Sequence, residues 1–292
     1  MKTKRFLIAF LASLLGIFMM ISCDKMTDKL TGEDIEIAED EAFADLVFED
    51  IMNEADAAEA GITKSSASEG CANITTTVND TVWTITIDYG DGCIQPIKNR
   101  FDVTIDTIVR KGKVIIQRKG RYLQKGSYRT VTLEGYSIND IQVEGTRTVT
   151  NKGLDENNHM WFSIILQNGK ITTPEGIEIT RNSERERYWI AGAGTPSILD
   201  DEYKVWGSVT GTTASGEDFT CTTVDSLYIK LACRLITGGQ VEIVVGSREP
   251  VVLDYGNGEC DATATITRDG KSKQITLRYR PRLKATRKLF GN

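Results

Sequence analysis

One histidine, His159, stands among 292 residues, and that scarcity excludes most catalytic devices. A Ser-His-Asp or Cys-His arrangement needs a positioned imidazole, and a zinc site usually needs several nitrogen or sulfur ligands. His159 lies in the polar connector "DENNHMW" and reads as solvated. Glycine-rich phosphate loops of the G-x-x-x-x-G-K-[ST] or G-x-G-x-x-G kind are missing from any strand-to-helix context. The carboxylate pairs Asp200-Asp201 and Glu184 with Glu186 sit in hydrophilic segments and read as solvated charge rather than as an acid/base pair. A basic surplus is missing too: the net charge is −6, so no nucleic-acid partner is predicted. Nor is there a second apolar run long enough to cross a membrane. These absences predict a protein with no catalytic residues, no metal site and no cofactor.

What is present begins with "MKTKRFLIAFLASLLGIFMMISCDK". Lys2, Lys4 and Arg5 precede an apolar run from Phe6 to Ile21, and Ser22 leads into Cys23, the layout of an export signal. A cysteine at the cleavage point resembles the lipobox of bacterial lipoproteins, with Met20 where that pattern prefers leucine. The resemblance implies a signal peptide over 1–22 and lipidation of Cys23. A single acyl chain anchors only marginally, at roughly 0.8 kcal/mol per buried CH₂, so the several chains of a lipoprotein head are what would hold the protein on its membrane.

Charge is distributed unevenly. Residues 24–60 hold fourteen acidic and two basic residues, whereas residues 61–292 hold 27 acidic and 30 basic. After a polar tether over 23–34, Phe43, Leu46, Val47, Ile51, Ala55 and Ala58 recur at helical spacing. They predict a short amphipathic helix over 35–61 with an acidic outer face, packed on the domain or frayed above the membrane. A linker follows over 62–70.

From Cys71 the period changes to two, with segments rich in Thr, Val, Ile and aromatics. Turn signals stand at Asn79-Asp80, Lys111-Gly112, Asn168-Gly169, Pro174-Glu175-Gly176, Ser215-Gly216, Gly238-Gly239 and Asp269-Gly270. Short alternating runs joined by such turns are antiparallel hairpins. The prediction for 71–292 is all-β, with about a dozen or more strands in an extended sheet or sandwich.

Two stretches nearly repeat: "TITIDYGDGC", ending at Cys93, and "VVLDYGNGEC", ending at Cys260. Each is preceded by a cysteine that opens a hairpin, Cys71 and Cys233, which suggests two related halves. A weaker echo links "VEGTRTVT" near Gly145 with "VWGSVTGT" near Gly207. Asp88, Asp91 and Asp254 fall short of the five or more oxygens a calcium site wants. The better reading is a structural corner in which Gly90, Gly92, Gly256 and Gly258 allow positive φ, the acids cap turns, and Tyr89 and Tyr255 pack on the sheet. Closing the two hairpins predicts disulfides Cys71–Cys93 and Cys233–Cys260, each contributing about 3 kcal/mol, with Cys221 buried and free. A Cys221–Cys233 bridge is the alternative.

Aromatics supply the remaining hint. Trp83, Trp161, Trp189 and Trp206, with Tyr188 and Tyr203, can pack cross-strand or form a stacking platform for sugars. The less regular stretch "SERERYWIAGAGTPSILDDEY" makes Tyr188, Trp189 and Trp206 the candidate binding residues. The basic end from Lys271 to Lys288 reads as a charged edge strand. The lipobox, the acidic leader and the segments "VEGTRTVTN", "ITRNSERERYW" and "LDYGNGECD" together resemble an uncharacterised lipoprotein family of Bacteroidota-type bacteria. That resemblance implies an outer-membrane, lipid-anchored location on either face and brings no activity with it. The expectation is a non-enzymatic binding module for a glycan or an envelope protein, attached to the membrane by its lipid. The alternative is a periplasm-facing structural or lipid-handling protein with an open apolar groove.

Overall fold

The computed structural model describes residues 30–59, 61, 71–98 and 104–278. Cys23, the signal peptide, the linker over 62–70 and the basic end beyond Arg278 lie outside the described residues. Among these described residues one long helix, α1 (Gly32–Glu59), precedes fourteen strands. It starts three residues earlier than the periodicity predicts because Thr31 and Asp34 cap it reciprocally. Thr31 N and Oγ1 donate to Asp34 Oδ2 at 2.8 and 2.7 Å, and Asp34 N donates to Thr31 Oγ1 at 3.1 Å. This satisfies first-turn amides that the helix itself leaves unpaired.

The strands are β1 (Asn73–Asn79), β2 (Val82–Asp88), β3 (Cys93–Lys98), β4 (Thr104–Lys119), β5 (Tyr128–Ile138), β6 (Ile141–Leu154) and β7 (Met160–Thr172). They continue with β8 (Glu178–Ala191), β9 (Glu202–Thr212), β10 (Asp218–Lys230), β11 (Leu235–Val245), β12 (Val251–Asn257), β13 (Thr263–Arg268) and β14 (Lys271–Thr276). All belong to one antiparallel sheet that meanders in chain order. β4 is long enough to pair with β2 along Lys113–Lys119 and with β3 along Thr104–Arg110. The sheet is extended, and among the described residues no second sheet packs on it as in a sandwich. Among the described residues no ladder joins β1 to β14, so the sheet does not close on itself.

The glycine-containing dipeptides explain how so large a sheet wraps. Asn79-Asp80, Pro174-Glu175-Gly176, Ser215-Gly216 and Asp269-Gly270 turn hairpins as predicted. Lys111-Gly112, Asn168-Gly169 and Gly238-Gly239 instead lie inside β4, β7 and β11. There they mark register shifts, at Lys111/Lys113, Leu166/Gly169 and Gly238/Gln240, and neighbouring strands shift at the same level. Bulges bend a strand and increase its twist. A row of them runs through the ladders from β4/β5 to β11/β12, interrupted only at β8/β9, which keeps its register from Thr180 to Trp189, and creases the sheet across its middle. Gly145 (φ 140°) and Gly207 (φ 146°), the two glycines of the weaker sequence echo, share one conformation on this crease. A Cβ on Gly207 would sit 2.2 Å from the Glu184 carbonyl oxygen, so close backbone approach requires glycine there.

The creased sheet curls around α1. From Glu41 to Ala58 every residue of the helix is buried. Phe43, Leu46, Val47 and Ile51 join Ile85, Ile87, Val114, Ile116, Val131 and Val143 in one apolar cluster. Ala38 and Ala42 join Val205, Leu227, Ile229, Val241, Leu253 and Ile266 in a second. The helix therefore contacts both ends of the sheet and forms its core: its predicted extent holds to within three residues at either end, whereas the predicted solvated acidic face is corrected, because that face is buried. A stripe of acids beside a stripe of apolar residues reads as a surface helix unless the facing element supplies the opposite charge. Here it does.

Candidate functional site

The inner face of the sheet carries arginines. In "RNSERERYW" the alternation of β8 turns Arg181, Ser183, Arg185 and Arg187 inward and leaves Asn182, Glu184 and Glu186 exposed. Arg110, Arg129, Arg147 and Arg268 point inward from β4, β5, β6 and β13, and all are buried. With Arg118, Arg234 and Arg248, ten arginines face nine carboxylates of α1: Glu33, Asp34, Glu41, Asp45, Glu49, Asp50, Glu54, Asp56 and Glu59.

Asp45 accepts from Arg181 Nη2 at 2.6 Å and from Arg185 Nη2 at 2.7 Å. Asp56 accepts from Arg129 and from Arg187, the latter at 3.1 Å, and Asp50 pairs with Arg110. Burial pushes the Asp45 and Asp56 carboxyls up, but the flanking guanidinium groups more than offset this and leave both below the usual carboxylate range. Arg147 is the least well matched. Burial and the neighbouring arginines pull it down to about 10, with only Glu49 opposing, and its Nη1 donates to the Phe48 carbonyl at 2.9 Å. Removing one partner of such a buried pair strands the other, which costs about 3–5 kcal/mol.

The repeated corners belong to this interior. Asp88 Oδ1 accepts from Gly90 N at 2.9 Å, and Asp254 Oδ1 accepts from Gly256 N at 2.8 Å. Tyr89 and Tyr255, both buried, point at α1, where their hydroxyls donate to Glu54 Oε2 at 3.0 Å and Asp45 Oδ2 at 3.3 Å. Burial and these carboxylates raise both phenols well above their ordinary value. Each corner is a turn that delivers a tyrosine to the helix. Gly90, Gly256 and Gly258 have positive φ, whereas Gly92 does not. Among the described residues no cluster of three or more potential metal ligands occurs. Cys71–Cys93 and Cys233–Cys260 are bridged, with Cα atoms 5.4 and 5.6 Å apart, and Cys221 is free and buried.

The candidate binding residues separate onto two faces. Trp189 turns inward, donates Nε1–H to Asp201 Oδ1 at 3.1 Å and lies against Tyr122 and Tyr203. It belongs to the core, because the strand's period of two places it on the side opposite Tyr188. Asp201 is buried beneath it and pushed up to about 6 by that burial, despite bonds from Trp189 and Tyr203, while Asp200 accepts from Thr195. The two acids therefore point to different partners and do not converge. His159 lies 3.5 Å from Asp155 at a turn and is 39% exposed.

Tyr188 and Trp206 face outward. Register sets two rows side by side across the convex face: Trp161, Tyr188, Lys204 and Tyr228, and then Ser163, Glu186 and Trp206. Trp161 and Tyr188 stack with centroids 5.8 Å apart and planes 12° from parallel. The Tyr188 hydroxyl donates to Glu186 Oε2 at 2.7 Å, and Trp206 is 41% exposed. Sequence reasoning named Tyr188 and Trp206. It took Trp161 only as one of several aromatics, and the register of β7 on β8 supplies it.

No protein-family model, curated protein or solved structure matches this chain.

Proposed function

We propose that the protein is a lipid-anchored, non-enzymatic binding module of the bacterial outer membrane that holds a glycan on its convex face. The observation that carries this reading is the outward pair of adjacent rows that sets Trp161 and Tyr188 beside Glu186 and Trp206. Flat, partly exposed rings stack on the apolar faces of pyranose rings. A carboxylate and the hydroxyls of Tyr188 and Tyr228 offer hydrogen bonds to sugar hydroxyls. The concave face supports the lipid-handling alternative poorly, because α1 and the arginines that face it fill it and leave no continuous apolar groove among the described residues. Lipidation at Cys23 follows the lipobox pattern and accounts for the attachment.

Tryptophan fluorescence titration against a panel of envelope and host polysaccharides tests the proposal. The wild-type chain is expected to bind at least one member. Trp206→Ala and Tyr188→Ala are expected to weaken that binding tenfold or more at an unchanged melting temperature. No binding across the panel, or binding that survives both substitutions, contradicts it.

A further inference from the structure

We propose that the arginine-lined inner face of the sheet is a receptor site for an acidic helix, and that it takes the α1 of a second copy of this chain in place of its own. The inference does not rest on the glycan reading.

Neither half of the interface stands alone. Between Glu33 and Ala60 the chain has no lysine or arginine, and Glu41, Asp45 and Glu49 stand four residues apart. Like charges at that spacing destabilise an isolated helix. The sheet without α1 would hold Arg110, Arg129, Arg181, Arg185 and Arg187, all buried here, with no counter-charge among them. Ion pairs run along the whole length of the helix, from Arg268 with Asp34 to Arg129 with Glu59, so the match specifies this helix rather than acidity in general.

Three features let the match be made between copies. The covalent path from α1 to the sheet runs only through residues 60–72, ahead of β1. Thirteen residues reach at most about 43 Å, close to the roughly 42 Å length of a 28-residue helix, so one copy's helix can span to a neighbour's sheet. No ladder joins β1 to β14 among the described residues, so α1 need not be threaded through a closed ring. The helix also carries its own cap in Thr31 and Asp34. A helix released from its own sheet finds the same matching arginines in that sheet or in another copy, and exchange of an identical element is a low-cost route to a dimer.

The test starts from the folded full chain with a protease site placed within residues 62–70. One batch carries an affinity tag ahead of α1 and a second carries a different tag after residue 292. Both batches are cleaved, mixed and captured on the first tag. The second batch's sheet should come down with the first batch's helix, approaching half of the captured sheets at equilibrium. A first-batch helix carrying Asp45→Ala and Asp56→Ala should capture at least tenfold less. The proposal is overturned if helices stay with their own sheets, if cleaved halves part without re-pairing, or if the doubly substituted helix exchanges equally well.

Discussion

Single carboxylates in α1 behave according to what faces them. Asp45 and Asp56 meet arginines and sit below the usual carboxylate range. Their stabilisation is therefore present above the ordinary carboxylate pKa and is lost as pH falls through their depressed values. Asp40 has no ion pair among the described residues. Burial, with Glu36, Glu39 and Glu41 close by, pushes its carboxyl from an ordinary 3.8 up to about 8. The sign is then opposite: the folded state holds a proton that the unfolded chain gives up, so stability falls as pH rises from about 4 toward 8. Asp40→Asn is expected to raise the melting temperature at pH 8 and to lose that advantage near pH 4. Melting curves of both chains across this window check it, and an equal offset at every pH would contradict it.

At the scale of elements, the crease explains both the long strands and the wrong turns. Gly207→Val forces a branched side chain to φ 146° against the Glu184 carbonyl oxygen and should destabilise the fold by on the order of 3 kcal/mol. Gly216 in the β9–β10 turn also has positive φ, but open space surrounds its Cβ position, so Gly216→Ala should cost only about 1 kcal/mol. Urea unfolding of the two variants separates the claims, and equal losses would remove the crease from the account. Much of this level was legible in the sequence. Alternation of Thr, Val and Ile gave strands, and hairpin lengths gave both disulfides. Glycine-containing dipeptides within β4, β7 and β11 read as turns because a bulge and a hairpin turn ask for the same residue. Which tryptophan faced out depended on register, and so Trp189 and Trp206 were grouped together although they lie on opposite faces.

At the scale of the whole molecule, the feature least visible in the sequence is the one that organises it. In "RNSERERYW" both strand faces are polar, and two polar faces read as a solvated strand. Only the arginine-rich alternation of β8, set against a helix of fourfold-spaced acids without a base, hints that one of those faces is interior. The resulting core is partly apolar and partly ionic. Pairs of this kind contribute little net energy over apolar packing but penalise any misplacement strongly, which suits a helix that must seat in one register. It also leaves the convex face free to carry the aromatic rows proposed as the binding surface.

The central claim is that α1 is the core of the sheet and not a leader in front of it. Native-state hydrogen–deuterium exchange of the intact chain measures this most directly. Amides of α1 between Glu41 and Ala58 are expected to exchange as slowly as those of β6 and β7, opening only with global unfolding. Rapid exchange along α1 while the sheet stays protected would contradict it.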